Sequence, residues 1–163
     1  METVNHETYV SLEVAKLLKD AGFDWGTFSH WTESDTNNSD FKFSGLSDKP
    51  ILYDGHTPID EDACIGRKKD WNNYNNECPL IYNYSAPTLD VAQQWLREVK
   101  NCYAGVEVFV HDLDKNNIYY TYNWVVYFNG DRYSGSDYDT TRYYEVAQEA
   151  SIKKTLKLIL AQK

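Results

Sequence analysis

The sequence predicts an α+β fold in which an antiparallel, aromatic-rich sheet packs against about three helices as a single pair of layers. Three observations lead to this prediction. Three segments repeat apolar residues at helical spacing, and two neighbouring segments in the second half alternate apolar and polar residues with the period of a strand. An Asn-Gly pair directly after the second of these segments is typical of a tight hairpin turn.

The length and composition predict one domain over residues 1–163. A chain of 163 residues can form a core without disulfide or metal staples, and 42% hydrophobic residues with 15% aromatic residues exclude a disordered chain. Residues 1–8 carry no periodicity and are expected to fray. Residues 54–79 mix Gly, Pro, Asn and charges, which indicates a long surface excursion anchored by Trp71 and Tyr74.

Helices are predicted at about 12–21, after Thr88, and at about 142–161. Ser11 is a suitable N-cap for the first helix, and Gly22 can end it. The third helix has apolar residues on nearly opposite sides, so we expect it to bend or to be buried between two neighbours. The second helix has one inward stripe, formed by Ala92, Trp95, Leu96 and Val99.

Strands are predicted at about 106–110, 118–128 and 131–134, with short strands within 23–53 and at 80–84. Residues 106–110 and 118–128 are joined by a polar turn, so they are expected to form an antiparallel hairpin. Alternate side chains of a strand point to opposite faces of the sheet. The face of the long strand that we expect to be core carries Ile118, Tyr120, Tyr122, Trp124, Val126 and Phe128.

The opposite face of the long strand carries the candidate binding residues Tyr119, Asn123 and Tyr127. Flat aromatic surface beside an amide group can stack sugars or bases, or bind a protein through rigid amphipathic anchors. The same pattern also fits a face that the last helix covers. The sequence leaves both interpretations open.

Charge and cysteine usage limit the expected partners and location. The net charge of −9 repels phosphate backbones and anionic membranes at long range, so neither direct nucleic-acid binding nor membrane binding is expected. Cys64, Cys78 and Cys102 have no CxxC spacing, and the first residues carry no signal pattern. These observations favour reduced thiols and a cytoplasmic protein.

The sequence predicts no metal site, no cofactor and no catalytic residue. Residues 112–116 resemble the opening of a calcium loop, but Asn117 replaces the glycine and Asn123 the glutamate, so a polar hairpin turn is preferred. The histidines stand in no recognisable constellation, although His111 beside Asp112 comes nearest to one. GxSxG, Walker and dinucleotide motifs are absent from the sequence. A non-enzymatic protein is favoured over an enzyme.

Three blocks of the sequence are similar to one group of proteins. The blocks are 11–23 (SLEVAKLLKDAGF), 85–88 (SAPT) running into 92–98 (AQQWLRE), and 144–150 (YEVAQEA). In order and spacing they resemble small uncharacterised proteins of prophages and mobile elements in gut Bacteroidetes. The resemblance covers less than half of the chain. It implies a phage-related context, and it assigns no activity and no site residue.

The sequence therefore favours an accessory protein of a phage or mobile element that binds another protein without catalysis. One alternative is an acidic mimic of DNA or another anti-defence protein, because the chain is anionic. A second alternative is a protein or enzyme that binds a small ligand, a nucleotide or a sugar, on its aromatic strand face.

Overall fold

Three helices and two antiparallel sheets make up the described part of the chain. The structure is a computed structural model that describes residues 8–34, 51–52, 70–73, 81–112 and 118–162. The α+β class is confirmed, but the strands are divided between two three-stranded sheets, β2-β1-β3 and β4-β5-β6, where the sequence suggested one. The elements in chain order are α1 Leu12–Asp20, β1 Ser29–Ser34, β2 Ile51–Leu52, β3 Ile81–Ser85, α2 Leu89–Lys100, β4 Tyr103–Asp112, β5 Ile118–Phe128, β6 Asp131–Gly135 and α3 Tyr144–Leu160.

The chain divides into two compact units. One is Tyr9–Pro87, with α1 and the sheet β2-β1-β3. The other combines Met1–Thr8 with Thr88–Lys163 and contains α2, α3 and the sheet β4-β5-β6. One domain over 1–163 stays a prediction. Of the segments expected to fray (1–8) and to form an excursion (54–79), the structure describes only Thr8 and residues 70–73, so Tyr74 lies outside the described residues.

Helix α1 forms where the sequence predicts it. The Val14 N–H donates to the hydroxyl of Ser11 at 3.4 Å, which caps the first turn. Val14, Ala15 and Leu18 are buried, and the helix packs against β3. Gly22 follows with a φ of 86°, a left-handed conformation in which glycine carries no steric cost. The predicted N-cap and the predicted stop are both confirmed.

Two buried side chains, Trp71 and Asn72, anchor a short described segment to the first unit. The Trp71 indole N–H donates to the carbonyl of Thr27 at 2.9 Å. The Asn72 amide donates to the carbonyl of Phe23 at 2.8 Å and accepts from the N–H of Ser85 at 2.9 Å. The expected anchoring role of Trp71 is therefore confirmed, and Asn72 shares it.

Helix α2 begins and ends at residues whose conformations suit a helix boundary. The Val91 N–H donates to the hydroxyl of Thr88 at 3.4 Å, and Asn101 has a left-handed φ of 52° directly after the helix. The predicted inward stripe is confirmed except for Val99, which is exposed in the last turn. The buried residues are Leu89, Ala92, Trp95 and Leu96.

The sheet β4-β5-β6, called the meander sheet below, follows the local pattern of the sequence closely. Strand β5 has the predicted bounds, and its register with β4 is continuous from Tyr103–Tyr127 to Asp112–Ile118. Asn129 and Gly130 have φ values of 52° and 88°. Positive φ at both central residues matches a two-residue turn between strongly twisted strands, which explains why Asn-Gly stands here.

The core of the second unit lies on the even-numbered face of β5, as predicted, but only at one end of the strand. Val126 and Phe128 pack with Cys102, and α3 contributes Leu158 and Ile159. At the other end of the same face, two residues predicted to be core, Ile118 and Tyr120, are more than half exposed. The prediction was wrong for these residues because periodicity identifies a face and does not tell how far the helices extend over it.

Helix α3 has one buried stripe that contains polar residues, and it packs against two neighbours, α2 and the meander sheet, in agreement with the prediction of a helix buried between two elements. Ser151 and Thr155 are fully buried because their hydroxyls donate to carbonyls of the same helix, at 2.7 and 2.8 Å. Val146, one of the apolar residues of this helix, is exposed and lies outside the buried stripe. The complete stripe is Ala147, Gln148, Ser151, Ile152, Thr155 and Leu156.

Candidate binding face

The predicted binding residues lie on the face of the meander sheet opposite α3. Tyr119, Asn123 and Tyr127 are all on this face, and Tyr119 and Tyr127 are 43% and 47% exposed. The last helix therefore does not cover them. We call this surface the open face and define it as Tyr103, Gly105, Glu107, Phe109 and His111 of β4, Tyr119, Thr121, Asn123, Val125 and Tyr127 of β5, and Arg132 and Ser134 of β6.

The three predicted residues do not form one pocket. They are four residues apart along a single strand, which separates neighbouring members by about 13 Å. Between them, the structure places cross-strand partners that the sequence analysis did not select. The open face is thus an elongated surface with three local groups of side chains.

At one end of the open face, two tyrosine rings meet edge to face. The ring centroids of Tyr103 and Tyr127 are 5.8 Å apart, with an interplanar angle of 62°. A Cβ placed on Gly105 would lie 2.5 to 2.7 Å from atoms of the Tyr103 ring, so Gly105 makes room for that ring. Gly105 directly precedes the predicted strand 106–110, so only the structure places it inside β4 and against the Tyr103 ring.

In the middle of the open face, an ion pair connects the two outer strands. Arg132 Nη2 of β6 donates to Glu107 Oε1 of β4 at 2.5 Å. Hydrogen bonds to Glu107 and Tyr127 raise the pKa of Arg132 above its ordinary value. In the strand register this pair bridges β5 at Val125, which is only 3% exposed although it lies on the open face. The ion pair depends on the register of β4, β5 and β6, so it could not be predicted from the sequence.

At the far end of the open face, His111 stacks on Tyr119. The ring centroids are 4.6 Å apart with an interplanar angle of 10°, and His111 Nε2 lies 2.8 Å from the hydroxyl of Thr121. Both contacts hold the imidazole as part of the aromatic surface. The residue that came nearest to a catalytic candidate in the sequence therefore has a structural explanation on this face.

The hairpin end that carries this stack is also exposed on its other side. We call residues 108–112 of β4 and 118–121 of β5 the distal hairpin. On the even-numbered face its large side chains are 49 to 62% exposed, and they are Val108, Val110, Ile118 and Tyr120. Contiguous exposed apolar surface on a regular strand pair is uncommon in a monomeric protein and marks interaction sites.

A second group of polar residues lies in the interior of the unit Tyr9–Pro87, where Ser85 is buried and His30 is partly buried. His30 stacks on Trp71 with centroids 4.0 Å apart, and burial lowers the pKa of His30 to about 4. His30 is paired with Ser85 across β1 and β3. Within the described part of the chain, His30 Nδ1 and the Ser85 hydroxyl have no hydrogen-bond partner. No sequence signal distinguished His30, because the segment SHWTES does not alternate clearly.

The described residues contain no group of three His, Cys, Asp or Glu residues that is placed to hold a metal ion. Cys102 is a free, buried thiol whose pKa is raised by burial. Within the same ranges, no helix combines the length and the hydropathy needed to cross a bilayer. The calcium-like segment 112–116 and the residues Cys64 and Cys78 lie outside the described side chains.

Comparisons with known proteins add no relative. A scan against protein-family models finds no matching family. A search of curated proteins finds no match, and a search of solved structures finds none. The resemblance to phage-related proteins of gut Bacteroidetes therefore stays a prediction.

Proposed function

We propose that the protein is a non-enzymatic accessory protein of a phage or mobile element and that it binds another protein through the open face. One observation carries this proposal. Four aromatic side chains of the open face are 43 to 47% exposed while their strands are fixed in a regular sheet, and they are Tyr103, Phe109, Tyr119 and Tyr127. Tyrosine and arginine are enriched among the residues that dominate binding energy at protein interfaces.

The extent of the open face favours a macromolecular partner. Tyr119 and Tyr127 are eight residues apart on β5, a span of about 27 Å, which exceeds the length of a nucleotide or a monosaccharide. A protein partner covers roughly 800 Å² on each side and can contact both ends together.

Side chains of the open face are also held in fixed positions in the unbound protein. The His111–Tyr119 stack and the Glu107–Arg132 ion pair hold side chains that would otherwise lose rotamer freedom on binding. Ordering of this kind reduces the entropic cost of association. The phage-related context rests on the sequence blocks at 11–23, 85–98 and 144–150 alone.

A comparative capture experiment tests the proposal. The bait proteins are the wild type, the double variant Tyr119→Ser/Tyr127→Ser, and the control Tyr138→Ser. Tyr138 is 71% exposed and lies outside the open face, so the control removes an equivalent side chain from another surface. We expect one host protein to be retained by the wild type and by the control, with at least about 10-fold less on the double variant.

The binding constant of the captured protein is then measured for all three purified baits. Circular dichroism confirms that each bait is folded. The proposal is rejected if the double variant binds as tightly as the wild type, or if the wild type retains no protein and instead turns over a substrate.

One observation favours a second candidate, a small planar ligand. The parallel His111–Tyr119 stack exposes part of an aromatic ring on which a sugar or a base can pack. A ligand at 100 times its Kd stabilises the folded state by about 2.7 kcal/mol, which a thermal-shift screen of nucleotides and sugars detects. A screen without any shift removes this candidate.

The open face gives no support to the alternative of a DNA mimic. Among the residues that define the face, Glu107 is the acidic one, and Arg132 pairs with it. A row of separated negative charges is therefore not present there. Protection of DNA from a restriction nuclease is the assay that would restore this alternative.

A further inference from the structure

The outer edge of β4 is open to another strand. Among the described residues β4 is an edge strand, since the sheet order is β4-β5-β6. In an antiparallel pair, alternate residues exchange backbone hydrogen bonds with the neighbouring strand, and the residues between them direct their N–H and C=O groups away from it. We therefore need to know whether the even-numbered or the odd-numbered residues of β4 direct their backbone N–H and C=O groups toward the outer edge.

Two hydrogen bonds show that the even-numbered residues face outward. The Tyr122 N–H donates to the carbonyl of Thr141 at 3.2 Å, so it points away from β4, and Val108 opposite it belongs to a pair without mutual backbone bonds. The Ala104 carbonyl accepts from the Gln93 side chain at 2.9 Å, on the outer side of β4. The even-numbered residues of β4 thus direct their backbone groups outward.

The free part of this edge runs from Val106 to Asp112. Gln93 covers the edge at Ala104, and the strand ends at Asp112. Natural edges are usually protected by Pro, Lys or a bulge. Residues 106–112 (VEVFVHD) contain no Pro and no Lys, and their register with β5 is continuous. Val108 and Val110 are 49% and 62% exposed, and among the residues that the structure describes no further strand pairs with this stretch.

We propose that this edge is completed by β4 of a second copy of the chain, which gives a two-fold symmetric dimer with one continuous six-stranded sheet. The middle of the free stretch is Phe109. A symmetric pairing that uses the whole stretch therefore places Phe109 opposite Phe109 of the second copy. Val108 then faces Val110 of the second copy, and the outward groups form about eight backbone hydrogen bonds.

The side chains of β4 are complementary to themselves in this register. Glu107 lies opposite His111 of the second copy, which pairs an anionic group with a hydrogen-bonding imidazole. Val108 with Val110 and Phe109 with Phe109 form apolar pairs at the centre of the stretch, and Val106 lies opposite Asp112 at its ends. A pairing centred on Glu107 would place two carboxylates opposite each other and is disfavoured. The net charge of −9 on each copy opposes association only weakly, because salt screens charges beyond about 8 Å at physiological ionic strength.

Dimerisation through β4 also has a consequence for the open face. A two-fold axis perpendicular to the sheet keeps both open faces on the same side, so they join into one surface with the Phe109 pair at its centre. The dimer does not require the partner protein proposed above. Its test uses the purified chain alone, so the two proposals can fail separately.

The test is sedimentation velocity of the wild type, Val108→Pro and the control Val108→Thr over a range of concentrations. Proline removes the outward N–H of residue 108, which the ladder with β5 does not use, whereas threonine keeps that N–H and a β-branched shape. We expect the wild type and the threonine control to sediment with twice the mass of the single chain. Val108→Pro should dimerise about 100-fold more weakly.

A second variant covers the case in which proline disturbs the strand. Val110→Lys keeps every backbone group and places a charge on the free edge, and its exposure predicts a folded protein. It should be monomeric as well. A wild type that stays monomeric at the highest concentration overturns the proposal, as does a dimer that persists in both Val108→Pro and Val110→Lys. The dimer proposal is also overturned if the wild type is monomeric and Val108→Pro no longer retains the host protein that the wild type captures. The edge of β4 would then pair with a strand of a different protein.

Discussion

Acidification is expected to destabilise the unit Tyr9–Pro87 through the partly buried histidine His30. His30 stacks on Trp71, and burial lowers its pKa from 6.5 to about 4. Between these two pH values the unfolded chain binds a proton at His30 that the native unit does not bind, so unfolding becomes more favourable as the pH falls. The contribution of the neutral ring is complete above pH 6.5 and is lost as the pH approaches 4.

The size of this effect follows from the two pKa values. A difference of 2.5 pKa units corresponds to at most about 3 kcal/mol, and about 2 kcal/mol of it is lost between pH 8 and pH 5. Carboxylates also titrate in acid, so the wild type must be compared with a variant that differs only in this group. His30→Phe keeps a flat ring against Trp71 and cannot bind a proton.

The assay is urea unfolding at pH 8 and pH 5, followed by tryptophan fluorescence. We expect the free energy of unfolding of the wild type to fall by about 2 kcal/mol more than that of His30→Phe over this interval. A proton NMR titration of the histidine rings measures the pKa of His30 directly, and the variant assigns its signal. If both proteins lose stability in parallel, burial does not depress this pKa and the reasoning is refuted.

Three substitutions test the packing of the two units by urea or thermal unfolding. Leu156→Ala should cost about 2 to 5 kcal/mol because it opens a cavity under α3, and a cost near zero would contradict its complete burial. Gln148→Ala should cost about 0.5 to 1.5 kcal/mol because it removes the hydrogen bonds that the buried Gln148 amide donates to Asp90 and Gln93, whereas the exposed control Gln94→Ala should stay within about 0.5 kcal/mol. Asn72→Ala should cost about 1 to 3 kcal/mol and Asn73→Ala almost nothing, and equal effects would show that the Asn72 amide does not anchor its segment.

The elements that the sequence predicted well are those encoded by neighbouring residues. Strand β5 has the predicted bounds because its alternation is regular and Asn129-Gly130 stops it with two positive φ values. Helices α1 and α2 begin next to Ser11 and Thr88, whose hydroxyls accept the expected N–H groups. These signals act over a few residues, so they do not depend on the rest of the fold.

Predictions about burial failed where burial depends on distant segments. Tyr120 and Val126 share one face of β5, yet Tyr120 is exposed and Val126 is fully buried, because the helices extend over only one end of the strand. No sequence pattern indicated that Ser151 and Thr155 are fully buried, which is possible because their hydroxyls donate to carbonyls of the same helix. Composition alone does not show whether a hydroxyl is hydrogen-bonded within its own helix or to water.

The strand face that carries the candidate residues was predicted, whereas its contacts with the neighbouring strands were not. The pattern of β5 identified Tyr119, Asn123 and Tyr127 as one face, and the structure places them on it. The ion pair between Glu107 and Arg132 joins residues that are 25 positions apart, and only the register of three strands brings them together.

The sequence by itself determined the helices, the long hairpin with its two faces, and the tight turn that follows it, because periodicity and turn chemistry act between close neighbours along the chain. Only the tertiary structure decided that the Tyr119 face is exposed, that the described strands form two sheets, and that β4 is an edge strand among them. These properties depend on which distant segments pack together, and that choice is made by the packing of the whole chain and not by any local run of residues.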